Sequence, residues 1–230
     1  MAAWEGRVDD RDPLDRRGLA RRLQPLGQHQ RGGFAASCAQ RLAPGVLDSP
    51  AVRVERPDDL QVAQGLLTEL WAVAASRTAA RLGPLVRVVE QMPELIAYEE
   101  WEGQGAYQTD ALAALLYAGR SWQPSPTNYV VGCAQRAFDT AAFLDRQLAP
   151  VPEEDSLEDL RALIEHGIPL PDPPSGPFQP RELQRQRDDL ATINAAEPAT
   201  WEAVLAQMRH ASAAYATDFL AALESVFDAR

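Results

Sequence analysis

Five residues that could bind or polarise a ligand, Glu99, Glu100, Glu102, Tyr107 and Asp110, fall within the stretch ELIAYEEWEGQGAYQTD at 94–110. Carboxylates at helical spacing can hold a divalent metal or act as an acid and base pair. Glu99 and Glu102 are three apart, but Gly103 and Gly105 follow and imply a loop, so the plainer expectation is a solvated acidic turn. Asp110 poses a sharper question, because it opens the apolar run ALAALLY. It could be a catalytic carboxylate, a helix cap, or a charge held at a helix-packing surface. A helix beginning near Gly105 or Thr109 puts it in the first turn, where the carboxylate accepts exposed backbone N–H groups, and that is the role expected. The five are binding candidates, with no catalytic residue, metal ligand set or cofactor assigned.

Other chemistries find little support. His29, His166 and His210 are isolated and form no HExxH pair, so a metal site would need them brought together with carboxylates by folding. His166 sits at an expected helix C-terminus, where a partial positive charge is favourable without any function. No GxGxxG, GxxxxGKT or GxSxG occurs. RGGF at 31–34 reads as a turn before a helix and makes a poor phosphate loop, because no strand precedes it. Cys38 and Cys133 lie in helical surroundings and read as small core residues kept reduced; catalysis by Cys38 with His29 would require a meeting in space.

Every one of the 22 basic residues is arginine, and against 33 acidic residues the net charge is −11. The balance is +2 over residues 1–31, −4 over 32–149 and −9 over 150–230. That acidity argues against a nucleic-acid backbone as partner of the whole domain. RRGLARRL at 16–23 is the basic exception: a short basic helix there could touch an acidic partner or lipid, but the plainer expectation is an exposed amphipathic start neutralised by Asp9, Asp10, Asp12 and Asp15. No run of eighteen apolar residues and no basic-then-apolar leader is visible, so neither a membrane span nor a secretory signal is expected and the location read is cytoplasmic.

The elements that must position these residues are helices. Phe34, Cys38 and Leu42 recur at steps of four before Pro44-Gly45; Ala63, Leu66, Leu67, Leu70, Trp71 and Ala74 form a stripe after Pro57. Val88, Val89, Met92 and Ile96 fit a helix kinked near Pro93. Ser125 and Pro126 look like the cap and first residue of a helix to Leu148, with Arg136, Asp139, Asp145 and Arg146 on a solvated side. Residues 149–180 hold eight prolines around a short helix near 156–165, and IPLPDPPSGP reads as a stiff surface excursion. Helices at 180–193 and 198–227 follow. The last carries Trp201, Val204, Leu205, Met208, Ala211, Tyr215, Phe219 and Leu223 on one face, and a homodimer follows if that stripe exceeds what the core covers. The fold class is therefore all-α: a compact single-domain bundle of about 7–9 helices over residues 26–230, preceded by a mixed basic and acidic segment at 1–25.

The order of segments resembles the uncharacterised bacterial YjaG-like family of all-helical proteins over residues 30–215. The resemblance rests on Phe34, Ala35, Cys38, Arg41 and Leu42, on Tyr107 and Asp110, and on the Glu182-to-Gln186 stretch. It implies a compact helical bundle and carries over no catalytic residue or ligand. Two functions are left: a non-catalytic protein-binding module, adaptor or immunity-like, that masks a basic partner, or a small-molecule or metal-binding enzyme using carboxylates near Glu99–Asp110.

Overall fold

Prolines set many of the helix starts, because proline at the first helical position loses no hydrogen bond and already has helical φ. Pro44, Pro50, Pro57 and Pro93 open four of the helices. The computed structural model describes residues 16–76, 81–97, 103–123, 127–149 and 176–228. In chain order these form α1 (Arg16–Leu23), α2 (Gln28–Leu42), α3 (Pro44–Leu47), α4 (Pro50–Glu55), α5 (Pro57–Ser76), α6 (Leu82–Val89), α7 (Pro93–Ile96), α8 (Gln104–Arg120), α9 (Thr127–Leu148), α10 (Phe178–Ala195) and α11 (Trp201–Asp228), with a 3₁₀ turn at Pro198–Thr200. The described residues contain no strand, and eight of the eleven α-helices have eight residues or more. The short pieces α3, α4 and α7 raise the count above the 7–9 expected, since each proline restarts a helix instead of ending one.

At the centre lies α2, which packs against α5, α8, α9, α10 and α11. Its residues from Gly32 to Ala39 are all buried, so it has no solvated face. Small side chains make this enclosure feasible, because they let neighbouring backbones approach from several directions at interior density. The expectation of a turn at RGGF fails for this reason: Gly32 and Gly33 lie inside α2. A Cβ at Gly32 would come within 2.1 Å of the Trp122 ring, and one at Gly33 within 2.8 Å of Leu205. The glycines are spacing residues in a helix.

Outer helices are joined by polar ties as well as apolar contacts. Arg56, between α4 and α5, donates through Nη1 (2.9 Å) and Nη2 to the buried Glu94 of α7. Burial would raise the Glu94 carboxyl, but the Arg56 hydrogen bonds outweigh it and hold the group below its ordinary range. On α5, the orphan carbonyls of Val73 and Ala74 lie against His29 Nδ1 (3.2 Å) and accept from Trp201 Nε1 (2.9 Å) respectively, which closes that helix end with side chains. Of the apolar stripe of α11, Leu205, Met208, Tyr215, Phe219 and Leu223 are buried in the bundle, while Trp201, Val204 and Ala211 are half-buried. Ser125, Pro126, the helix expected at 156–165, His166 and residues 168–175 of the IPLPDPPSGP excursion lie outside the described residues.

Gly45 of α3 separates two kinds of glycine in this fold. A Cβ there would lie 2.7 Å from the backbone carbonyl oxygen of Tyr107, which cannot swing away, whereas at Gly65 of α5 the nearest atom is Leu85 Cδ2 at 3.8 Å. Gly45→Ala is expected to destabilise by about 1–3 kcal/mol in urea unfolding. Gly65→Ala should stabilise by about 0.5–1 kcal/mol, as a helix-interior glycine replaced without a clash.

Candidate functional site

The five sequence candidates do not form one described site. Glu99, Glu100 and Glu102 lie outside the described residues. Tyr107 and Asp110 both stand on α8 but point into different surroundings. The Tyr107 ring is buried in an aromatic cluster with Phe143 (5.3 Å between centroids), Phe227 (5.9 Å) and Phe219 (6.2 Å). Asp110 faces α9, where its Oδ1 accepts from Arg136 Nη1 (2.8 Å) and its Oδ2 from Thr140 Oγ1 (2.7 Å).

This overturns the expected cap. Helix α8 begins at Gln104, after Gly103 turns with φ +58°, so Asp110 is in the second turn, beyond the orphan N–H groups. Its charge is held at a helix-packing surface. Burial pushes the carboxyl above its ordinary value of 3.8, against the pull of Thr140 and Arg136 in the other direction. Arg136 is 40 % exposed, and its free side lines a cleft.

That cleft, about 540 Å³, lies between α1, α8 and α9. Its walls include Arg16 and Arg17 from α1, Tyr117 from α8, and Tyr129, Gln135, Arg136 and Asp139 from α9. Gly132 keeps the floor low, since a Cβ there would press on the Tyr117 ring at 3.3 Å. Arg120 is turned aside from it: the guanidinium pairs with Glu90 and lies 5.8 Å over the Tyr129 ring. The expectation of a fully solvated side on α9 therefore holds for Asp139 and Arg146, which are exposed, and fails for Arg136 and Asp145. Asp145 is buried and accepts the backbone N–H groups of Phe178 (2.9 Å) and Gln179 (2.8 Å), capping α10 from a neighbouring helix.

A second polar constellation is centred inside the bundle, with Arg185 at its half-buried edge. Arg41 is the one charged residue of α2's buried body, with 0 % of its side chain exposed. Its Nε and Nη2 donate to the two oxygens of Glu182 at 2.7 and 2.8 Å, and Nη1 donates to Asp189 Oδ2 (2.9 Å) and Ser37 Oγ (2.6 Å). Ser37 Oγ also donates to Asp189 Oδ2 (2.6 Å) and lies 2.7 Å from Ser212 of α11. Gln186 donates to Glu182 Oε1 and to the Ala134 carbonyl, both at 2.9 Å, while Arg185 Nη2 donates to the second oxygen of Asp189 at 2.9 Å. Two guanidiniums thus meet two carboxylates. Burial lowers the Arg41 pKa, but the Glu182 and Asp189 carboxylates raise it further, so the charge is secure.

Cys38 and Cys133 complete this interior as free, fully buried thiols. Burial, then contact with Cys133, pushes the Cys38 thiol well above its ordinary range despite Arg41 beside it. A protonated, enclosed thiol is a poor nucleophile, and His29 is engaged at the end of α5. Among the described residues no three of His, Cys, Asp or Glu converge as a metal site, and no helix is long and apolar enough to cross a membrane.

The internal cluster was not anticipated as a unit. Its signal lay in α10, where Glu182, Gln186 and Asp189 take the i, i+4, i+7 spacing of a core face and are followed by the buried Leu190 and Ile193. A polar stripe with core periodicity implies a buried partner, and Arg41 is that partner.

No protein-family model matches the chain, and no curated protein does. A solved structure of a DUF416 family protein from Shewanella baltica is similar, with a TM-score of 0.58 and 19 % identity over 85 % of this chain and 93 % of that one. At that identity the likeness extends to the all-helical fold.

Arg41→Lys should destabilise by about 3 kcal/mol in urea, because a lysine ammonium cannot serve both Glu182 oxygens and Asp189 together. Asp110 carries a pH signature. Its folded pKa lies above the unfolded one, so its contribution to stability is complete below about 3.8 and is lost as pH rises through the folded value. The stability of Asp110→Asn relative to the native chain should accordingly increase with pH across that range, measured by thermal unfolding from pH 3.5 to 6.

Proposed function

We propose that the chain is a non-catalytic protein-binding module of adaptor or immunity type, acting in the cytoplasm and binding through the cleft between α1, α8 and α9. The observation that carries this reading is the contrast between the two polar constellations. The charges of the core, Arg41, Arg185, Glu182 and Asp189, are spent on one another, whereas the cleft presents arginine, phenol and amide groups to solvent. Groups engaged with one another inside a packed core are not presented to a substrate. The sequence resemblance to the YjaG-like family is part of the same proposal, and the all-helical fold shared with the Shewanella baltica protein bears on the architecture alone.

Photo-crosslinking in cells tests it. A benzophenone amino acid at position 129, in the cleft, should give one discrete adduct, and the same group at position 85, between α5 and α6, should give none. Adducts of equal number and yield at the two positions, or none at 129, would contradict the reading.

A further inference from the structure

We infer that the occupant of the α1–α8–α9 cleft is an acidic polypeptide segment, an inference that rests on the binding-module reading and reverses the sign of partner suggested by the net charge. Arg16 and Arg17 are exposed and make no ion pair with any described residue. Arg136 offers one side of its guanidinium while Asp110 holds the other. Against these three cations the described residues of the cleft wall set one carboxylate, Asp139, which already accepts from Gln135 at 2.8 Å.

The part of the net charge of −11 that lies far from the cleft does not cancel this local field; Asp15, next to Arg16 in the sequence, is outside the described residues. Charges more than about 8 Å away are largely screened at physiological ionic strength, so a bound carboxylate responds mainly to the arginines beside it. Overall acidity acts instead on long polyanions, whose charge continues past the cleft onto a repelling surface.

Chemistry of the walls favours peptide over nucleic acid. Asn128, Gln135 and Asp139 add acceptor oxygens to the arginine donors. An extended peptide has backbone N–H groups for the acceptors and side-chain carboxylates for the donors, whereas a phosphodiester backbone brings acceptors alone. The Tyr117 ring, left accessible above Gly132, provides a flat apolar surface for an alternate side chain. A volume of about 540 Å³ is within the range of sites that enclose a small ligand, enough for a few residues of such a segment.

Fluorescence polarisation of the full chain with a labelled peptide of alternating glutamate and leucine tests the inference, with the glutamine-for-glutamate peptide as control. The acidic probe should bind at least about tenfold tighter than its control, and binding should weaken as salt rises from about 50 to 300 mM. Arg16→Glu/Arg17→Glu should lose about tenfold or more, while Arg87→Glu, on the exposed side of α6, should change little; both variants should unfold thermally like the native chain. Equal affinity for the two peptides, an unaffected double variant, or tighter binding of a single-stranded oligonucleotide of matched charge would overturn it. So would displacement of the probe by self-association seen in sedimentation. If these fail while the position-129 adduct persists, the cleft binds a partner of other chemistry; if the adduct is absent as well, the binding-module reading falls with them.

Discussion

A guanidinium with no exposed surface, in the last turn of a helix surrounded by five others, is the constraint on which this fold depends. Removing an ion from water costs several kcal/mol even after relaxation, so Arg41 can be buried only where carboxylates and hydroxyls meet its donors in the right plane. Its planar fork sets that geometry: one edge takes both oxygens of Glu182, while Nη1 takes Asp189 and Ser37. Because Glu182 and Asp189 belong to α10 and Ser212 to α11, the cluster ties the register and rotation of both helices to α2. Leucines would have filled the same space, but they tolerate sliding in a way that a bidentate pair does not.

The enclosure that makes Arg41 so demanding comes from small residues. Glycine, alanine, serine and cysteine let α2 be approached from all sides, and the same device recurs where α3 meets the Tyr107 carbonyl at Gly45 and where α8 meets Val86 at Gly119. Close backbone approach leaves room for few large side chains on α2, chiefly Phe34 and Arg41. Six other aromatics, Tyr107, Phe143, Phe178, Tyr215, Phe219 and Phe227, gather where α8, α9, α10 and α11 converge, with ring centroids about 5–6.5 Å apart in several tilted, edge-on and stacked pairs.

The fold was largely legible because long helices announce themselves by apolar periodicity, as the α5 and α11 stripes did. Two physical signals were harder to read. Glycine scores as a breaker in isolation, so Gly32 and Gly33 suggested a turn, and only their neighbours Trp122 and Leu205 explain them as spacers. Polar residues at core spacing look like a solvated face until the partner is known, which concealed Glu182, Gln186 and Asp189 on α10 and Asp145 on α9. Asp110 shows the same limit from the other side: its type and position near a helix start suit a cap, and its true partners are 26 and 30 residues further along the chain. In each case the missing information was the identity of a non-local partner, which no local pattern contains.

The division between a saturated core and an open arginine-bearing cleft depends on the core charges acting as one structural unit. The coupling of Arg41 and Glu182 measures this most directly, by urea unfolding of Arg41→Met, Glu182→Leu and the double variant. A coupling energy above about 2 kcal/mol, with the double variant much less destabilised than the sum of the single ones, is predicted for a buried pair whose separation leaves an uncompensated charge. Additive effects within about 0.5 kcal/mol would contradict it, and would mean that Arg41 and Glu182 are held for some purpose other than the fold.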